Sequence, residues 1–219
     1  MVCRSSGRPS CASKKRSLGS PIPTIRWQQG IIVPDGPVHW WEAAVAVCYS
    51  SHFVASLTLM GVLWAFDREN GFLPFRRRFS IVTLLGLLGY FLVPSAPPWM
   101  AARDGLIEPV RRLSLRGFQV FGGEGAEKAI TTGAKFSNQV AAMPSLHGAW
   151  SLLIAVFLTR YLPRWSWPIL LAYPALMLFS LVSTGEHYVI DVLAGFGCVG
   201  VAFALARLIE QRRENPGSH

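Results

Sequence analysis

Apolar positions along this chain are gathered into five blocks, at 38–66, 79–93, 148–162, 165–182 and 188–208. None alternates with polar residues as a half-buried strand does, and each predicts a helix that is apolar on all sides. A helix needs about 20 apolar residues to cross a bilayer core. The block at 148–162 is short for that, so its helix is expected to begin near Pro144, a residue suited to a first turn. Polar stretches separate the blocks: a basic loop at 67–78, a proline cluster Pro94-Ser-Ala-Pro-Pro-Trp99, a long segment at 100–143, and tight turns near 160–164 and 183–187. Proline cannot continue a helix, because it lacks the donor and clashes with the preceding turn. Trp40, Trp41, Trp150 and Trp165 read as anchors at the membrane surface. The fold class this predicts is an all-α polytopic membrane helix bundle with five spans. A polar tail, read as mobile or weakly ordered, occupies 1–36, the membrane domain 37–210, and a charged tail 211–219.

Composition supports this division. Of the 219 residues, 51% are hydrophobic and only 15% charged, whereas soluble domains carry about a quarter charged residues. The net charge of +9 is spread over the segments between blocks. Nucleic-acid binding would need basic residues gathered on one face, so it is not expected. Loops beside anionic lipid headgroups account for the charge better. The cysteines form no CxxC and no Cys/His ligand spacing, which argues against a structural zinc site. No apolar core follows the basic residues of the first thirty positions, so they do not read as a signal peptide.

Counting spans places the loop at 67–78, the turn at 160–164 and the C-terminal tail on one side. All are short and basic, which assigns them to the cytoplasm. His147 and His187 then share the opposite, extracytoplasmic face. The basic N-terminal tail falls on that face too, against the positive-inside rule. Either it translocates, or a first span of a six-span pattern lies outside this chain.

The chemistry-bearing residues cluster at two block boundaries. Asn138-Gln-Val-Ala-Ala-Met-Pro-Ser-Leu-His147 opens one block, and Gly185-Glu-His-Tyr-Val-Ile-Asp191 opens another. His187 and Asp191 are four apart, which on a helix places them on one face. A carboxylate on one imidazole nitrogen fixes the tautomer and frees the other as nucleophile or base. Ionisable groups at the end of a span are costly unless they are used, although a structural pair with no chemistry would look the same. Ser145 at a helix start adds a hydroxyl to backbone N–H groups that favour an anion.

Together these stretches resemble the type 2 phosphatidic acid phosphatase superfamily, and within it the branch containing inositol phosphorylceramide synthase and its bacterial relatives. The residues that carry the resemblance are Tyr49-Ser-Ser-His52-Phe, Pro94-Ser-Ala-Pro-Pro-Trp99, Ala141-Ala-Met-Pro-Ser-Leu-His147 and Thr184-Gly-Glu-His-Tyr-Val-Ile-Asp-Val-Leu-Ala-Gly195. The resemblance implies an integral-membrane phosphatase or phosphotransferase acting on a lipid phosphate or phospholipid headgroup, with no metal and no other cofactor. His187 would attack phosphorus and form a phosphohistidine, Asp191 would orient it, and His147 would protonate the leaving oxygen. Many members carry Ser-Arg ahead of the second histidine. Here those positions are Ser180 and Leu181, and the family's first lysine–arginine motif is not found in clear form. The phosphate clamp must then come from elsewhere, and Ser145, Lys135, Arg103, Arg111 and Arg112 are the candidates. The alternative for each cation is a solvated loop charge.

Further residues are assigned to the substrate pocket: His52, Pro97, Pro98, Trp99, Asn138, Glu186 and Tyr188. His52 either enters the site or bonds a neighbouring helix. The prolines and Trp99 either floor the site or only end a helix. Gly195-Phe-Gly-Cys-Val-Gly200 matches GxGxxG but follows no strand, so it is read as close helix packing instead of dinucleotide binding. The expected partners are the membrane, at the cell surface, and a phospholipid or lipid-phosphate substrate. A purely hydrolytic lipid phosphatase is one alternative. A non-catalytic lipid-binding or transport protein is another, and would place broken helices at mid-bilayer.

Overall fold

The computed structural model describes residues 22–121 and 142–214, which are mostly helical, with no strand among them. The helices are α1 (Pro23–Gly30), α2 (Trp40–Phe66), α3 (Leu73–Leu92), α4 (Pro98–Arg103), α5 (Leu146–Leu158), α6 (Trp167–Ser183) and α7 (Val189–Glu214). The chain forms an all-α membrane bundle, as its apolar blocks predict. Among the described residues, three helical stretches are long and apolar enough to cross a membrane: Trp40–Phe66, Arg164–Ser183 and Val189–Arg213. Their exposed large side chains, such as Val54, Trp64, Ile169, Leu193 and Val201, are apolar, as a lipid-facing surface requires. The other two expected spans are shorter in apolar length. α3 opens with Arg76, Arg77 and Arg78, and α5 has only 13 residues, roughly 20 Å against a core of about 30 Å.

α5 is central, packing on α2, α3, α6 and α7. Its Leu153, Ile154 and Phe157 join Leu63, Phe75, Val82 and Val199 in the main core. Its first turn is held by close backbone approaches. A Cβ on Gly89 would lie 2.3 Å from the Pro144 ring, one on Gly86 2.5 Å from Leu146, and one on Gly195 2.3 Å from the Ser145 carbonyl oxygen. Gly195 thus has the packing role expected of the glycine cluster. Gly197 and Gly200 face open space.

One boundary differs from the sequence reading. Residues 23–30, assigned to a loose tail, form α1, which packs on α6. Trp27 lies 5.2 Å from the Phe179 ring. Buried Gln28 accepts the Arg111 N–H and donates to the carbonyls of Arg111 and Ser183. A tail rich in polar residues reads as unstructured by composition, but these polar groups are used to tie loops together. Buried Arg116 does likewise, donating to the carbonyls of Val33, Gly36 and Pro37 and pairing with buried Glu42.

Candidate active site

His187 comes from the α6–α7 connection and Asp191 from the helix it leads into. His187 lies ahead of the helix, so the pair does not share a helix face as the spacing predicted. Gly185 makes the turn with φ +81°, a conformation that side chains other than glycine rarely adopt. The His187 N–H then donates to the Leu181 carbonyl at 3.2 Å. Asp191 lies in the first turn of α7, and its Oδ2 accepts the Tyr188 N–H at 2.8 Å. The same oxygen is 3.6 Å from His187 Nδ1, which is buried and has no hydrogen-bond partner among the described residues. Both side chains are almost fully buried.

His147 stands in the first turn of α5. Ser145 caps that helix, its hydroxyl accepting the Gly148 N–H, while the Ser145 N–H donates to the Asp191 carbonyl at 2.8 Å. This last bond joins the two histidine-bearing segments directly. The His147 and His187 ring centroids are 5.7 Å apart, edge to face. On its other side His147 meets two rings of α2: His52 at 4.0 Å and Tyr49 at 5.0 Å. His52 is therefore brought to the histidine pair, with its Nδ1 2.7 Å from the Tyr49 carbonyl oxygen.

The loop cations separate in space. Arg112 donates from Nε to Glu186 at 2.6 Å, and the Ser114 hydroxyl donates to the same carboxylate oxygen. The Tyr49 hydroxyl lies beside Arg112 and Ser114, and Arg112 is in electrostatic reach of His147. Burial works against charge on Arg112, but Glu186 and Tyr49 outweigh it and raise its pKa above the ordinary arginine value. Arg111 instead pairs with exposed Asp35, and Arg103 pairs with Asp104 in solvent. Arg103 is drawn off by the residue next to it, Arg111 by an acid 76 positions away. Trp99 presents its ring to Arg103 and Arg112, and its backbone N–H donates to the Gly185 carbonyl. Pro97 and Pro98 are buried at the start of α4. Lys135 and Asn138 lie outside the described residues. Tyr188 contributes its backbone to the Asp191 carboxylate. Tyr49 and Ser114 are the neighbours that the sequence reading left out of the site. Tyr49 precedes His52 by one helical turn, and that spacing was the available signal.

The departure at Ser180 and Leu181 has a structural counterpart. Leu181 is fully buried against Cys48, Met177 and Val192, with its carbonyl receiving the Glu186 and His187 N–H groups. A cation at that position would have to be buried in the apolar core.

Residues 35–205 match the family model described as PAP2 superfamily. The chain is 32% identical over 179 residues to a phosphoinositol dihydroceramide synthase of Bacteroides thetaiotaomicron, covering 74% of this chain and 55% of that protein. It is 28% identical over 181 residues to the inositol phosphorylceramide synthase catalytic subunit aur1 of Schizosaccharomyces pombe, covering 80% and 39%. It is 29% identical over 151 residues to the inositol phosphorylceramide synthase of Candida albicans, covering 66% and 31%. The chain therefore spans between about a third and about half the length of these relatives. No solved structure matches it. With three membrane-length helices and a family match over most of its length, this integral membrane chain belongs to the PAP2 superfamily.

Proposed function

We propose that this chain transfers a phospho-headgroup between lipid alcohols through a phosphohistidine on His187. One observation carries the reading: two imidazoles from separate helical segments face each other at 5.7 Å, with the Asp191 carboxylate 3.6 Å behind one of them. That gap suits a phosphoryl group between a nucleophile and a proton donor. With Nδ1 toward Asp191, His187 attacks phosphorus through Nε2 while the bond from phosphorus to the leaving lipid oxygen breaks. His147 gives its proton to that oxygen. An acceptor hydroxyl then attacks phosphorus, the P–N bond breaks, and His147 takes the hydroxyl proton. Asp191 stabilises the charge that His187 carries in between.

Arg112 is the cation best placed to balance phosphate charge, since it lies beside the Tyr49 hydroxyl and within electrostatic reach of His147. Arg103 and Arg111 are committed to other acids, while the Ser145 hydroxyl and the helix start behind it can add donors. An apolar groove of about 680 Å³ along α2 and α5, the helices that carry His52 and His147, is lined by residues such as Val47, Val54, Leu59 and Ile154 and supports a hydrocarbon chain on the substrate. The basic residues at the far ends of α3 and α7 favour a site that faces away from the cytoplasm, in the plasma membrane. The names of the relatives favour phosphoinositol as the headgroup and a ceramide-like alcohol as acceptor.

The test is turnover of phosphatidylinositol with ceramide by the purified chain in lipid, with products identified by mass spectrometry. Wild type is expected to form inositol phosphorylceramide and diacylglycerol, and His187→Ala to form neither. Inositol phosphate released without a new lipid would make the chain a hydrolase. Transfer retained by folded His187→Ala would refute the covalent mechanism.

A further inference from the structure

The end of the bundle opposite the histidines holds a second polar site. Arg160 follows the C-terminal end of α5, roughly 20 Å from His147 at its start. Arg207 and Glu210 lie in the last turns of α7, whose first turn carries Asp191. Here a cavity of about 600 Å³ opens between α3, α5 and α7, lined by Arg77, Arg78, Arg160 and Arg207 with Glu69 and Glu210. Phe157 and Phe203 form apolar walls.

The charges in this cavity do not balance. Glu210 is shared by two arginines, taking both terminal nitrogens of Arg78 at 2.9 and 3.0 Å and one of Arg77 at 2.7 Å. Arg160 and Arg207 make no ion pair among the described residues. Arg78 is only 7% exposed, its guanidinium lies over the Phe203 ring, and its Nε is buried without a hydrogen-bond partner among the described residues. A buried guanidinium nitrogen with no acceptor is costly, and an oxyanion entering the cavity would remove that cost. Guanidinium groups match phosphate oxygens in geometry as well as charge. Four guanidinium groups against two carboxylates in the lining suit the cavity to holding an anion. Exposed Leu205 and Leu208 on α7 place it where lipid reaches the bundle.

We propose that this cavity binds the phosphate of an anionic phospholipid headgroup in the leaflet facing that end, bridging α3, α5 and α7. The proposal stands apart from the catalytic reading, because it uses none of the residues near the histidines. Retention of phosphatidylglycerol against phosphatidylcholine on the full chain, measured by native mass spectrometry, tests it. A His187→Ala background removes turnover from the measurement. Phosphatidylglycerol is expected to be held in preference. Arg160→Gln with Arg207→Gln, both at exposed positions, should weaken it at least about tenfold, given the contribution of each basic residue near a lipid surface. Arg76→Gln with Arg212→Gln removes the same charge outside the cavity and should leave retention unchanged. Displacement by inorganic phosphate assigns recognition to the phosphate group alone, and lack of displacement assigns it to the whole phospholipid; either supports the site. Equal loss in the two double variants, or no preference over phosphatidylcholine, overturns it.

Discussion

The Asp191 carboxylate answers to two groups at once. Its Oδ2 closes the start of α7 by accepting the Tyr188 N–H, and the same atom lies 3.6 Å from His187 Nδ1. Asparagine can still accept the Tyr188 N–H, but it carries no charge to balance an imidazolium. Asp191→Asn should therefore fold with a thermal midpoint close to wild type and lose roughly 10²- to 10⁴-fold in headgroup transfer. Parallel melting and turnover measurements separate the two roles. A variant that melts early and transfers normally would reduce Asp191 to a helix-capping residue.

Among the elements, α5 matters because its first turn must approach α3 and α7 more closely than side chains permit. Gly89 and Gly195 meet a proline ring and a carbonyl oxygen, neither of which is the far end of a flexible side chain. Gly89→Ala and Gly195→Ala should each destabilise the bundle by about 1–3 kcal/mol through overpacking, and displace His147 from His187. Gly197→Ala points into open space and should cost nothing, since alanine is the better helix former. Thermal melting in detergent across the three variants reads the difference. The glycine spacing in α7 announced close packing, but which glycine makes the contact depends on helix rotation, and rotation is set by the neighbours.

At the scale of the molecule, the outer segments are tied down by single polar residues reaching across long sequence distances. Gln28 joins α1 to the chain at Arg111 and to the end of α6 at Ser183, so it holds the loop that carries Arg112 against the turn that carries His187. Gln28→Ala leaves buried backbone groups without partners and should cost about 1–3 kcal/mol locally. Faster hydrogen exchange at 110–116 than in wild type, with the core of α5 unchanged, is the expected result.

The sequence by itself determined the membrane class, the order of the apolar helices and the two histidine-bearing boundaries. These are local properties: hydropathy over a window, and residue types at a helix start. It did not determine that only three of the described helices reach membrane length on apolar content, that residues 23–30 fold onto α6, or which arginine lies nearest the histidines. Arg103, Arg111 and Arg112 look alike in a polar loop; Arg103 has its acid beside it in Asp104, but Arg111 and Arg112 meet theirs, Asp35 and Glu186, from 76 and 74 positions away. His52 gains its place in the same way, because its helix rotates it onto His147 from nearly a hundred positions away. Pairing across such distances is settled by packing, which a linear pattern does not contain.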